Sequence, residues 1–210
     1  MTDLADTPAV STPAGAPAHD EHTHVTSTGI SNEKAAMWAF LGSECLLFGG
    51  LISTFLLYKD RAADGPVPHD LYDIAFTSIS SFVLLMSSLT MVLAVSAIAR
   101  GDDRALRAWL LVTALLGTIF ISGQVYEFKE FLNEGLGFTT SPAGSAFFAL
   151  TGFHGVHVTL GIVMLISAAL LSRAGRITQR NAESVEIVGL YWHFVDVVWV
   201  IIFTVVYLIK

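Results

Sequence analysis

Apolar residues dominate five long stretches of the chain, near 34–58, 72–99, 107–130, 144–171 and 186–209. Each exceeds the roughly 20 residues an α-helix needs to cross a bilayer. They are too long and too uniformly apolar for barrel strands of about ten residues. The breaks are polar. KDRAADGPVPHD carries a Gly-Pro turn signal, RGDDRALR reads as a charged hinge, KEFLNEGLGFTTSP is Gly-rich and SRAGRITQRNAES is basic. The pattern predicts an all-α membrane protein with five transmembrane helices in a bundle, in one domain over residues 31–210. No internal repeat is visible.

The first 30 residues break this pattern. They are rich in Pro, Ala, Thr and Ser, hold few large apolar groups, and read as a disordered tail. His19, His22 and His24 lie there; without a scaffold to hold a metal they read as solvated side chains. The tail lacks the basic start and apolar run of a secretory signal peptide.

Composition agrees with a membrane reading: 53% of residues are apolar and only 14% charged. The net charge of −7 speaks against nucleic acid as a partner. Cys45 is the single cysteine, so neither an internal disulfide nor a multi-cysteine metal site is available. With the amino terminus inside, Lys34, Arg100, Arg104, Arg107, Arg173, Arg176 and Arg180 fall on the inner side. Lys59, Arg61, Lys129 and Lys210 fall outside. That bias predicts a cytoplasmic amino terminus and an external carboxyl terminus.

Against this background the polar residues inside the spans stand out. They are Glu44 in the first, Gln124 and Glu127 in the third, His154 and His157 in the fourth, and His193 and Asp196 in the fifth. A charged Asp near a helix centre costs about 2.5–3.5 kcal/mol on the insertion scale, so such groups must be neutralised, paired or turned towards protein. His154, His157 and Gly161 fall on one stripe, and Gly161 lets another helix approach. Trp192, Asp196, Trp199 and Phe203 form a second stripe with His193 on its flank. Glu44, His154 and Asp196 each lie roughly 15 Å from their helix starts, which predicts a shared interior layer of acid and imidazole.

Each of these residues has more than one reading. Glu44 is either a protonated acid bonded to a neighbour or a proton-relay acid. His154 and His157 suit interhelix hydrogen bonding; as metal or haem ligands they lack enough companions on their helix. Trp192 and Trp199 read as packing or lipid contacts, and Gln124 and Glu127 as solvated or headgroup contacts near a span's end. No phosphate loop, nucleophile motif or CxxC is present.

The motifs themselves carry a resemblance. LYWHFVDVVWVIIFTVVYL closely resembles the last helix of subunit III of the haem-copper respiratory oxidases. TGFHGVHVTLG resembles its penultimate helix, WAFLGSECLLFGG its acidic helix, and YEFKEF with GLGFTTSPAGSAFFAL the stretch between. The similarity runs from about residue 34 to the end and is to the short, five-helix bacterial form. It implies a non-catalytic core subunit of a proton-pumping terminal oxidase in the bacterial cell membrane. Such a subunit packs on subunit I beside subunit II and small subunits, also within respiratory supercomplexes. Haem and copper belong to those partners, and subunit III binds no redox metal. The resemblance further implies two groups of helices around a phospholipid-holding cleft, and support of sustained turnover and proton uptake by subunit I. Glu44 matches the family's buried acid. His154, His157, His193 and Asp196 match its interior polar residues, with Trp192 and Trp199 inside the final motif. TGFHG and SECLLF lean towards a cytochrome c oxidase, and subunit III of a quinol oxidase is the alternative. More distant readings are a membrane cytochrome ligating haem through His154, His157 or His193, and a small transporter with Glu44 and Asp196 as coupling acids.

Overall fold

A computed structural model describes residues 29–59 and 74–209; the tail histidines and most of the first polar break lie outside them. Five helices follow in order: α1 (Asn32–Tyr58), α2 (Ile74–Ala99), α3 (Asp103–Asn133), α4 (Pro142–Arg173) and α5 (Ala182–Phe203), the last continued by a π-turn over Thr204–Leu208. All five are long and apolar enough to cross a membrane. Their centres agree with the apolar stretches, but α3, α4 and α5 begin earlier than hydropathy predicts. For α3 and α4 the cause is capping. Asp102 accepts from the amides of Arg104 and Ala105, and Ser141 accepts from that of Gly144, with Pro142 in the first turn. Polar first turns therefore belong to helices that project beyond the hydrocarbon, and the charged hinge shrinks to the residues around Gly101.

The connection between α3 and α4 starts with a tight stop. Gly135 takes φ +89°, and the amides of Gly135 and Leu136 return to the carbonyls of Leu132 and Phe131. This Schellman-type end needs a residue free of the Cβ penalty in the left-handed region. It seats Leu136, fully buried, under the bundle.

Helices α2, α3, α4 and α5 close a ring of neighbours, α2 on α3, α3 on α4, α4 on α5 and α5 on α2. Helix α1 lies against α4 and α5 from outside, burying only Leu41, Phe48 and Phe55. The helices thus form one connected set. Trp192 and Trp199 of α5 fill its centre. Two mainly apolar grooves open at its surface, one between α3 and α4 and one between α2 and α5.

Polar contacts tie α1 to α5 at one membrane surface. Lys34 Nζ meets Glu186 Oε2 at 2.6 Å, and Ser31, the cap of α1, donates to Glu183. Both partners of the ion pair are partly exposed, so its worth is about 0–1 kcal/mol.

Candidate functional site

Trp192 sets the geometry of the interior. Its indole lies in a slot formed by two missing side chains. A Cβ on Gly117 of α3 would stand 2.6 Å from Cη2 of the ring, and one on Gly161 of α4 would stand 2.7 Å from Cε3. The close approach expected at Gly161 is real, and what approaches is an aromatic side chain rather than a helix backbone. Trp192 Nε1 donates to Ser87 Oγ of α2 at 3.0 Å. Two turns on, Trp199 Nε1 donates to Ser81 Oγ at 2.8 Å. The two tryptophans, seven residues apart, meet two serines six residues apart on the antiparallel helix, which fixes the register of α2 against α5.

His193 extends this seam: its Nδ1 lies 2.6 Å from Ser88 Oγ. Ser88 also neighbours the carboxyl of Asp196. That carboxyl is buried, and neither oxygen has a hydrogen-bond partner of standard geometry among the described residues.

Glu44 and His157 form the central interhelix contact of α1. Glu44 Oε2 stands 3.1 Å from His157 Nε2, and His157 Nδ1 stands 2.7 Å from the carbonyl of Phe153. A carbonyl only accepts, so Nδ1 carries a hydrogen. Nε2 then has two states. Neutral imidazole accepts a hydrogen bond from a protonated Glu44, and imidazolium donates one to a carboxylate. Either way the pair shares one proton and has no net charge, which is the low-cost arrangement inside a membrane. Phe48 covers the imidazole edge-on at 5.1 Å, and Tyr191 donates to the His157 carbonyl at 3.0 Å.

His154 departs from expectation. It is fully buried, yet neither ring nitrogen has a hydrogen-bond partner among the described residues. Its ring stacks on Trp199 at 4.9 Å and meets Phe120 edge-on at 6.0 Å. It therefore packs as an aromatic, and interhelix hydrogen bonding is the role of His157 alone in this pair.

Gln124 and Glu127 also differ from the solvated reading, being only 6% and 7% exposed. Glu127 accepts from Thr77 of α2 at 2.8 Å, and Gln124 Nε2 reaches the Thr151 carbonyl of α4 at 3.5 Å. The reason is the length of α3, which runs past the apolar stretch and keeps both side chains against its neighbours. Gln124 also lines a groove of about 320 Å³ between α3 and α4, opened by Gly152 and Gly155.

Among the described residues no three His, Cys, Asp or Glu side chains come together. Glu44 with His157 is a two-group pair, short of the donors a closed metal site takes. What these contacts do is bind helices to one another.

The profile of the family described as cytochrome c oxidase subunit III matches residues 14–210. The chain belongs to that family. It is similar to the cytochrome c oxidase subunit 3 of Alkalihalophilus pseudofirmus, with 41% identity over 95% of this chain and 96% of the relative. It is equally similar to two proteins of Bacillus subtilis. The quinol oxidase subunit 3 is 40% identical over 81% of this chain and 84% of its own length. The cytochrome c oxidase subunit 3 is 41% identical over 84% and 86%. Like other members of the family, this subunit III is an integral membrane component of a haem-copper oxidase complex.

For a subunit III the interior tryptophans need a changed reading. Trp192 and Trp199 are sealed within the bundle, so the lipid contacts expected of them are not made from these positions. Membrane-interface tryptophans lie near helix ends; these sit mid-span, where only an interior hydrogen-bond acceptor suits an indole N–H. The residues that supply it, Ser81 and Ser87, escaped the sequence reading together with Ser88, Thr77, Gly117 and Tyr191. Two Ser-Ser pairs seven residues apart in SSFVLLMSS were the signal. Trp199→Phe keeps the ring stack on His154 and removes one interhelix bond. It is expected to cost subunit III about 0.6–1 kcal/mol, read as a small fall in thermal midpoint in detergent. A fall as large as that of a cavity-forming variant would contradict the assigned role.

Proposed function

We propose that this chain is the non-catalytic subunit III of a proton-pumping cytochrome c oxidase, holding phospholipid, stabilising subunit I and supporting its proton uptake during oxygen reduction. The observation that carries the non-catalytic part is how the buried polar groups are used. Glu44, His157, His193, Gln124 and Glu127 meet other helices of the same chain, and the two grooves that Gln124 and His193 line are mainly apolar. Haem and copper then reside on subunits I and II. The cytochrome c assignment rests on TGFHG and SECLLF; the 40% identity to a quinol oxidase subunit keeps quinol as the second reading.

A cytoplasmic amino terminus is supported by charge. Lys34, Arg100, Arg104, Arg107, Arg173, Arg176 and Arg180 cluster around the ends where α1, α3 and α5 begin and α2 and α4 finish. Lipid holding is supported by the two grooves, whose walls are almost wholly apolar.

Selective removal of this chain from the purified oxidase tests the proposal. The initial rate with reduced cytochrome c is expected to persist while activity decays within far fewer turnovers. Immediate loss of electron transfer would contradict a supporting role, and oxidation of quinol in place of cytochrome c would select the second reading. Asp196→Leu tests the interior separately. It removes a buried carboxyl that has no hydrogen-bond partner of standard geometry among the described residues, so the isolated subunit is expected to be at least as stable. The yield of assembled complex or its turnover lifetime is expected to fall. Unchanged assembly and lifetime would leave Asp196 without the proposed role.

A further inference from the structure

The helix contacts around Asp196 do not account for it. It is 3% exposed, and neither carboxyl oxygen has a hydrogen-bond partner of standard geometry among the described residues. Burying an unpaired carboxylate is costly, so the state of this group depends on whether a proton can reach it. Ser88 of α2 neighbours the carboxyl and also stands 2.6 Å from His193 Nδ1. His193 and Asp196 lie three residues apart on α5, on one helix face, so a single hydroxyl serves both. A hydroxyl has one hydrogen to donate and two lone pairs that accept. Ser88 can therefore accept from one neighbour while it donates to the other.

The imidazole also has an entry side. His193 is only partly buried and lines the groove of about 440 Å³ between α2 and α5. Its Nε2 takes no protein partner among the described residues. Glu186, at the groove mouth beside Lys34, precedes His193 by seven residues of α5, a rise of about 10 Å. A file of about three waters, spaced roughly 2.8 Å apart, covers that length. A water takes roughly 30 Å³ of liquid volume, so the groove has room for the file. Lys34 and Glu186 are the other titratable groups on the groove walls. The remaining walls are Val92, Val95, Ala99, Gly189 and Leu190, with the Ser96 hydroxyl.

We propose that Asp196 is a proton-binding site, filled and emptied from the groove through His193 and Ser88. Before filling, neutral His193 carries its hydrogen on Nδ1 and donates it to Ser88 Oγ, and Asp196 is a carboxylate. A hydronium at the inner end of the groove gives a proton to Nε2 and leaves as water. The Nδ1 proton then passes to Ser88 Oγ as the Ser88 hydroxyl proton passes to an Asp196 oxygen. His193 ends as the neutral Nε2–H tautomer, Ser88 is again a hydroxyl and Asp196 is the acid. One positive charge has entered and one negative charge has been neutralised. Emptying is the same sequence in reverse. His193 and Ser88 act here as carriers, and the site needs no partner subunit, so it goes beyond the supporting role proposed above.

The test is infrared spectroscopy of the full oxidase complex, purified through tagged subunit III. Comparison with Asp196→Asn identifies the carbonyl band of the Asp196 acid, and transfer to heavy water follows its downshift. The band is expected to shift well before the α5 amides exchange. His193→Phe keeps the ring volume and is expected to slow the shift by about a hundred-fold, the effect of removing a positioned proton carrier. Ser88→Ala is expected to slow it likewise, and Ser88→Thr, which keeps the hydroxyl, to restore it. If His193→Phe does not accumulate, the Ser88 pair makes the same comparison. A role limited to packing would lower stability in these variants without singling out the Asp196 band. No Asp196 acid band at any pH the complex survives, exchange no faster than that of the α5 amides, or an unchanged rate in His193→Phe and Ser88→Ala would overturn the site. Haem recovered with the chain is scored on the same preparation. Its absence counts against the subunit III reading and leaves the exchange result to be judged by itself.

Discussion

Gly161→Val is expected to remove most of the folded subunit from the membrane. A Cβ at this position would lie 2.7 Å and 2.8 Å from two atoms of the Trp192 ring and 3.3 Å from Tyr191, and valine adds two further methyl groups in the same space. Trp192 cannot retreat, because Gly117 presses its other edge at the equivalent of 2.6 Å and Ser87 holds its N–H. Overpacking of a close-packed core typically costs about 1–3 kcal/mol, and here it also breaks the bond that sets the α2–α5 register. Trp192→Ala relieves the crowding and leaves a cavity, with an expected cost of about 3–5 kcal/mol. The double variant Gly161→Val with Trp192→Phe is therefore expected to be more stable than Gly161→Val alone. Membrane abundance and thermal midpoint of the three proteins read this out, and a Gly161→Val protein of normal abundance would mean that the slot is not tight.

The second large effect is expected at Glu44. Glu44→Ala leaves His157 Nε2 facing Phe48 and lipid with no partner, at a cost of about 1–3 kcal/mol for an unsatisfied buried group. It also detaches the middle of α1, whose remaining anchors are three buried apolar side chains and the contacts at Lys34 and Ser31. Glu44→Gln is expected to restore most of the loss. With Nδ1–H directed at the Phe153 carbonyl, neutral His157 accepts from a glutamine N–H as it would from a protonated glutamate. Hydrogen exchange of α1 amides compares the three proteins. Protection in Glu44→Gln no better than in Glu44→Ala would show that the pair needs an ionised carboxylate.

The spans were legible because an unbroken apolar run of roughly 20 residues suits little besides a membrane helix. Their ends were not, since the polar turns capped by Asp102 and Ser141 look like loop. The interior layer was half legible. Glu44 and His157 announced themselves by being polar in lipid, but their pairing joins helices whose order around the bundle no local pattern encodes. A helix apolar on every face has no periodicity to say which side is inside. That is why Trp192 and Trp199 could be mistaken for lipid contacts and Gln124 and Glu127 for a solvated end. Serines were passed over because most in such helices bond their own preceding turn, as Ser78 does with the Ile74 carbonyl. Only the tryptophans opposite single out Ser81 and Ser87.

The α2–α5 seam, the Trp192 slot and the Glu44–His157 pair all describe a scaffold whose polar interior holds helices together, which fits the proposed supporting role. The mainly apolar grooves at its surface fit the same proposal. The most direct measurement is the partner set of the tagged full-length chain, extracted in mild detergent, together with its visible spectrum. The expected result is stoichiometric recovery with a haem- and copper-containing oxidase, and no haem band in the chain once it is separated from that complex. A monodisperse protein with no oxidase partner, or a stoichiometric haem band from this chain alone, would contradict the account.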